Sequence, residues 1–303
     1  MEVRAHNPGP IKVSSEEVSM RNITVLGTGV LGSQIVFQTA IHGFPVVAYD
    51  INDAAIEAAR TRFAELAKVY ARELPGATEE SAARGLANIS YSTDLAEAVA
   101  NADLVIEAVP ENITIKTDTY TRLAAAAPEH TIFATNSSTL LPSDIAPSTG
   151  RPDRFLALHF ANRVWIHNTA EIMGNPGTDP EVFAQVVKFA QEIGMVPIEI
   201  FKEKAGYLLN SLLVPLLDAA ADLVTGGYAT PESVDQTWRV GTGSPMGPFQ
   251  ILDVVGLNTA YNIALAAGAP RAEFAAYLKE NFIDKGKLGR GTGEGFYTYP
   301  AED

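Results

Sequence analysis

Short apolar runs alternate with longer amphipathic stretches along the first two thirds of the chain. "NITVLG" reads as a strand running into a glycine turn, and "VLGSQIVFQTAIHG" follows with helical spacing up to a capping Gly43. "FPVVAYD" is the next strand. A strand, a helix and a second strand in that order form a crossover, which implies a parallel sheet. "AAIEAARTRFAELAKVYAREL" is helical, "PGATEE" interrupts it, and a further helix starts near Glu79. "ADLVIEAVPE" is almost wholly apolar, as a strand covered on both faces must be. "HTIFATNSS", "RFLALHF", "TAEIMG" and "MVPIEI" complete the strands, and Asp179 caps the helix before the last of them. Beyond about residue 203 only helices and turns remain. The pattern predicts a Rossmann-type, doubly wound, mainly parallel α/β sheet over residues 21–203. A smaller all-helical domain follows over 204–303, and residues 1–20 form a flexible N-terminal arm. The most apolar stretch, "LLNSLLVPLLDAAADLV", contains Asn210, Pro215, Asp218 and Asp222, so it predicts a buried helix and not a membrane span.

Composition narrows the function. A length of 303 residues fits two domains. The formal net charge of −14 argues against nucleic acid and against an anionic membrane surface. With no cysteine, disulfides, thiolate metal sites and a Cys nucleophile are excluded, and no metal is expected. The N-terminus lacks the apolar core of a signal peptide, which with the absence of cysteine predicts a cytoplasmic protein.

"GTGVLG" places Gly27, Gly29 and Gly32 in the G-x-G-x-x-G pattern, with Val30 and Leu31 opening the helix. The first glycine permits the tight turn, the second a close pyrophosphate, and the third close packing of helix on strand. The pattern carries weight only between a strand and a helix, and it stands there here. The second strand ends at Asp50, 18 residues after Gly32, where a carboxylate bonds both ribose hydroxyls. A carboxylate there also repels a 2′-phosphate, so the expected cofactor is NAD(H) and not NADP(H).

"HFANRVWIHNTAE", residues 159–171, is too polar for core and too rich in ring side chains for an ordinary loop. Oxidising a secondary alcohol by hydride transfer also requires loss of its hydroxyl proton. A neutral imidazole, with an ordinary pKa of about 6.5, suits that task. A carboxylate beside it would fix the tautomer and stabilise the imidazolium. His159 closes one expected strand and Glu171 lies in the next, so an antiparallel pairing would set them side by side. Spacing alone equally fits a structural His and a solvated Glu.

The motifs "NITVLGTGVLGSQI", "LVIEAVPEN", "TNSSTL", "ALHFAN", "GYLLNSLLVP", "GPFQILDVVGL" and "GKLGRGTGEGFYTY" occur in one order over residues 21–299. As a set, the chain resembles the 3-hydroxyacyl-CoA dehydrogenase family. The resemblance implies that His159 is the general base toward the 3-hydroxyl and Glu171 its electrostatic partner. It implies that Ser138 hydrogen-bonds the substrate oxygen, that Asn162 lies beside the same centre, and that Asn210 reaches the substrate from the helical domain. Glu111 and Lys116 resemble the family's contacts to the nicotinamide side of NAD. Taken singly, Ser138 and Asn210 also fit helix caps, and Glu111 with Lys116 fits a solvated pair. The family also implies a homodimer.

The match departs from the family between His159 and Glu171. Arg163 stands where the family usually has Pro, and Trp165 and His167 add bulk and polarity. Trp165 could shorten an acyl pocket and Arg163 could grip a carboxylate, although both also fit surface packing. Residues 51–90 hold Arg60, Arg62, Lys68, Arg72 and Arg84 against six acidic residues, so the basic patch expected beside coenzyme A is weak. The first reading is NAD-dependent oxidation of a short-chain 3-hydroxyacyl-CoA, or the reverse reduction. The second is the same chemistry on a free 3-hydroxy acid, and the third an inactive NAD-binding protein.

Overall fold

A computed structural model describes residues 20–300. The arm expected over residues 1–20 lies outside the described residues except for Met20, which is buried in the core. Contacts divide the chain into two compact units, one ending at Tyr207 and the other starting at Leu208.

The first unit is built on one eight-stranded sheet. Its elements are β1 (Ile23–Leu26), α1 (Val30–Ile41), β2 (Val46–Tyr49), α2 (Asp53–Glu73), α3 (Glu79–Ala87), β3 (Ile89–Ser92), α4 (Leu95–Val99), β4 (Leu104–Glu107), α5 (Ile113–Ala126), β5 (Ile132–Thr135), α6 (Pro142–Ile145), β6 (Phe155–Phe160), β7 (Thr169–Gly174), α7 (Pro180–Glu192) and β8 (Val196–Ile200). The order across the sheet is β3-β2-β1-β4-β5-β6-β7-β8. The first six strands in sequence run parallel. β7 reverses against β6, and β8 runs parallel to β7. Strand order reverses beside β1, between β2 and β4, so the crevice beyond the carboxyl ends of β1 and β4 is where this architecture takes a ligand.

Sequence and packing agree closely here. The four residues of β1, β4 and β5 are all buried, as strands covered on both faces require. Gly32 through Ala40 of α1 are buried without interruption, so this helix is wrapped on all sides. The chain leaves α1 at Gly43, whose φ of 92° suits a residue without Cβ. Asn52, Thr78, Asn112 and Asp179 cap α2, α3, α5 and α7 by accepting backbone N–H bonds.

The second unit contains α8 (Leu209–Thr225), α9 (Pro231–Thr242), α10 (Pro248–Val255), α11 (Leu257–Ala267) and α12 (Ala272–Asn281). Phe249, Leu252, Leu257, Phe274 and Leu278 form its core. Asp235 of α9 caps α10 by accepting from the Phe249 and Gln250 N–H groups at 2.8 and 3.0 Å. The buried helix expected over 208–224 is corrected in part. Only Ala220 and Ala221 of α8 are buried, and Leu212 is 75% exposed. Among the described residues no helix is long and apolar enough to cross a membrane.

Candidate active site

Two places along the carboxyl edge of the parallel strands carry chemistry. At the first, β1 runs into the glycine turn. A Cβ on Gly32 would lie 1.9 Å from the Gly27 carbonyl oxygen, and one on Gly27 would lie 2.6 Å from the Ala108 oxygen. Both positions therefore exclude any side chain. A Cβ on Gly29 would meet nothing within 4 Å, so open space lies above the start of α1. Gly29 offers no side-chain cap, and the first turn, which holds Val30, Leu31 and Gly32, has no acidic residue. That donor set fits a phosphate. Asp50, at the end of β2, accepts from the Thr28 N–H at 2.8 Å, the Thr28 hydroxyl at 2.6 Å and the Ile51 N–H at 2.8 Å. Arg62 donates to the Thr28 carbonyl at 2.9 Å.

At the second, β6 and β7 pair so that His159 and Glu171 are direct register partners. Their side chains meet, with Nδ1 of His159 2.9 Å from Oε2 of Glu171. A carboxylate can only accept, so Nδ1 carries the proton and Nε2 is left as the basic nitrogen. Nε2 lies 3.1 Å from the Ser138 hydroxyl oxygen. Both members of the pair are nearly buried, with side chains 7% and 5% exposed. The Tyr207 ring stacks on the imidazole, with centroids 4.5 Å apart and planes 21° apart. Burial, then the nearby carboxylates of Glu111, Glu171 and Glu107, push the Tyr207 phenol far above its ordinary range, so it stays neutral.

Ser138 is placed by Glu111. Oε1 of Glu111 accepts from the Ser137 hydroxyl at 2.6 Å, the Ser138 N–H at 3.0 Å, and the Thr139 N–H and hydroxyl, both at 2.8 Å. Burial alone would raise the Glu111 carboxyl. The hydrogen bonds from Ser137 and Thr139 and the charge of Lys116 outweigh it and bring the value down to about 2. Lys116 is 1% exposed, bonded to Glu107 at 2.6 Å and 3.4 Å from Glu111. The solvated Glu111–Lys116 pair that spacing allowed is therefore not formed. Lys116 is buried beneath the loop, and Glu107, which also accepts from Thr135 at 2.8 Å, is its closer partner.

The remaining expected residues fall in three places. Asn162 is exposed at the start of the β6–β7 loop. Asn210 lies in the first turn of α8, in the second unit. Arg163 and Trp165, expected at the substrate, are engaged with α2. The guanidinium of Arg163 and the indole N–H of Trp165 both donate to Oε2 of Glu73, at 3.0 and 2.8 Å. The sequence reading missed Glu73, Glu107, Ser137, Thr139 and Tyr207. A signal existed for Glu107, a charge inside an otherwise apolar strand, and for the hydroxyl run in "TNSST". Nothing in the spacing pointed to Glu73 or Tyr207.

Comparison with known proteins follows the same division. The NAD-binding domain of 3-hydroxyacyl-CoA dehydrogenase matches residues 22–204, and the C-terminal domain of the same enzymes matches residues 206–299. The mitochondrial hydroxyacyl-coenzyme A dehydrogenase of Rattus norvegicus is 36% identical over 94% of this chain and 93% of its own length. A probable 3-hydroxybutyryl-CoA dehydrogenase of Bacillus subtilis (strain 168) is 34% identical over 93% of this chain and 98% of its own. Among solved structures, a diketoreductase described for its substrate-directed dual catalysis of dicarbonyl compounds is 66% identical. It superposes with a TM-score of 0.92 over 93% of this chain and all of its own. With both domains matched in series and relatives similar over nearly their full length, this chain is an NAD-binding oxidoreductase that belongs to the 3-hydroxyacyl-CoA dehydrogenase family.

Proposed function

We propose that this chain interconverts a 3-oxo and a 3-hydroxy compound, with His159 as the group that exchanges the proton at the C3 oxygen. The observation that carries this reading is the alignment of Glu171, His159 and Ser138, in which a buried carboxylate leaves Nε2 facing a hydroxyl donor. NAD, when bound, supplies or accepts the hydride at C3. In the oxidative direction Nε2 takes the hydroxyl proton, and Glu171 stabilises the imidazolium that forms. In the reductive direction the same nitrogen returns the proton to the C3 oxygen. The Ser138 hydroxyl donates to that oxygen and steadies its developing charge, and it holds its position because Glu111 fixes the backbone beneath it. Tyr207 keeps the imidazole plane from tilting. Asn162 supplies a neutral amide to the same substrate, and Lys116 acts through Glu111. Gly29, Val30, Leu31 and Gly32 bind the pyrophosphate with backbone N–H groups, and Asp50 orients the adenosine ribose.

A 3-ketoacyl thioester and a 1,3-diketone share one reacting unit, two carbonyls separated by a single carbon. The family supports a coenzyme A thioester as the carrier of that unit. Two observations favour a neutral dicarbonyl compound with no carrier. The diketoreductase is 66% identical, and two basic residues of α2 are already paired. Lys68 lies 2.8 Å from Glu65 and Arg72 lies 3.0 Å from Glu73. A free carboxylate is the poorest fit, because Arg163 is engaged by Glu73. NADH oxidation with acetoacetyl-CoA, a neutral diketo ester and a free 3-oxo acid tests this directly. The neutral dicarbonyl should give the highest kcat/KM and the free acid the lowest, and a free acid ranking first would contradict the reading. The exposed Leu212, Tyr228 and Val240 of the second unit support a homodimer, which light scattering would register as twice the chain mass.

A further inference from the structure

Glu73 is the last residue of α2, where the negative end of the helix dipole disfavours a carboxylate. Its side chain is nevertheless 23% exposed and is held from three directions. Oε2 accepts from the Trp165 indole and the Arg163 guanidinium, and Oε1 lies 3.0 Å from Arg72. The Trp165 hydrogen bond is the largest influence on the carboxyl. With Arg72 and Arg163, and against burial, it holds the value down at about 2. On the other side of the contact, Arg163 has a φ of 61°. That conformation is uncommon for any residue with a Cβ and closed to proline, whose ring locks φ near about −65°. Such a residue persists only when its surroundings over-determine it.

The surroundings here come from two helices. Gln34, two positions past Gly32 in α1, accepts from the Arg163 and Val164 N–H groups at 2.7 and 3.4 Å. The Trp165 ring lies 5.1 Å from the Tyr70 ring, and the Tyr70 hydroxyl donates to Gln38 of α1 at 2.8 Å. The β6–β7 loop is thereby tied to the helix that opens at the glycine turn and to the end of the next helix. Asn162 is the residue immediately before this anchored turn, and His159 precedes it by three.

We propose that Glu73 is a positioning residue for the reaction: it clamps the β6–β7 loop through Arg163 and Trp165, and so sets Asn162 against the substrate held at His159. This rests on the function proposed above and adds the element that holds that part of the site. Arg163 and Trp165 are on this account parts of the clamp and leave substrate recognition to their neighbours. A shift of about 1 Å in a group at the site can cost on the order of a hundredfold in rate, so a loosened loop has a kinetic consequence without touching the dyad.

The test uses Glu73→Ala and Glu73→Gln in the full chain, assayed by NADH oxidation with the best substrate of the panel. Glu73→Ala should lower kcat about tenfold, with the Kd for NADH within about twofold of the parent. Glu73→Gln keeps an acceptor for the indole and should recover most of the loss. Trp165 and Trp238 are the two tryptophans of the chain. In a Trp238→Phe background the emission of Trp165 alone should therefore move to the red and become more open to iodide when Glu73 is replaced by Ala. A Glu73→Ala protein that folds and keeps kcat within about twofold of the parent overturns the proposal. Unchanged Trp165 emission also overturns it. If Glu73→Ala fails to fold, Trp165→Phe takes its place and should lower kcat about threefold at parental Tm, and an unchanged kcat is then the contrary result. A parent that turns over no panel compound defeats the proposed function, and the Trp165 emission then decides the clamp by itself.

Discussion

Two loops bracket His159, and each is held by one acidic side chain whose carboxyl is brought down to about 2. The loop after β5 is organised by Glu111 through hydroxyl and backbone donors that sit directly beside Ser138. The loop after β6 is organised by Glu73 through an indole and a guanidinium, on a helix far from the dyad in sequence. The first carboxylate shapes the loop that carries Ser138, the donor proposed for the substrate oxygen. The second shapes a backbone turn one residue away from a proposed substrate contact. Similar electrostatics thus serve two different distances from the chemistry, and the kinetic weight of the two should differ accordingly.

The largest expected effect falls on the nearer loop. Glu111→Ala removes the acceptor for four donors and leaves Ser138 unplaced, so kcat should fall on the order of a hundredfold. A loss smaller than that of Glu73→Ala would reverse the ranking and break the comparison. Glu73→Ala should come next, at about tenfold. The nucleotide end sharpens the contrast, because neither loop reaches Asp50. NADH should bind about tenfold more tightly than NADPH, and Asp50→Ala should narrow that gap, while Glu73→Ala should leave it unchanged. Fluorescence titration of both nucleotides measures this, and equal affinities in the parent would contradict the role of Asp50.

The smallest effect concerns stability against pH. Both carboxyls are lowered from an ordinary 4.5 to about 2 in the folded chain. A group lowered on folding stabilises the fold above its unfolded value, and that contribution is lost as pH falls through the folded value. The Tm of the parent should therefore exceed that of Glu111→Gln by a constant margin above pH 4.5, and the margin should close as the pH falls toward 2. A margin that does not change with pH would mean that the carboxylate charge contributes nothing to the loop.

Much of this was legible in the sequence, and the limits have physical causes. The glycine turn between a strand and a helix and the carboxylate at Asp50 follow from local spacing, whereas the antiparallel approach of His159 and Glu171 was one of two readings that spacing allowed and the β6–β7 register decides it. Strands have a period of two, so alternation fixes which face each side chain takes, but the eight-residue connection between β6 and β7 leaves the register to the fold. The Arg163 and Trp165 contacts were not legible, because their partner Glu73 lies at the end of α2 and only tertiary folding brings it near. Lys116 shows the same limit in another form. Its spacing from Glu111 suggested a surface pair, whereas folding buries it against Glu107 on β4. Helix α5 is similar. Its run "ITIKTDTYTRL" is rich in β-branched residues with modest helix propensity. Asn112 caps it through two N–H bonds, and Lys116, Tyr120 and Leu123 anchor its buried face.

The central claim is that His159, oriented by Glu171, exchanges the proton at the C3 oxygen. Steady-state NADH oxidation by the parent and by His159→Ala, with the NADH Kd measured for both, tests it most directly. The account predicts that His159→Ala lowers kcat by about 10² to 10⁴ while the Kd stays close to the parental value. A folded His159→Ala protein that retains kcat within about tenfold of the parent would contradict it.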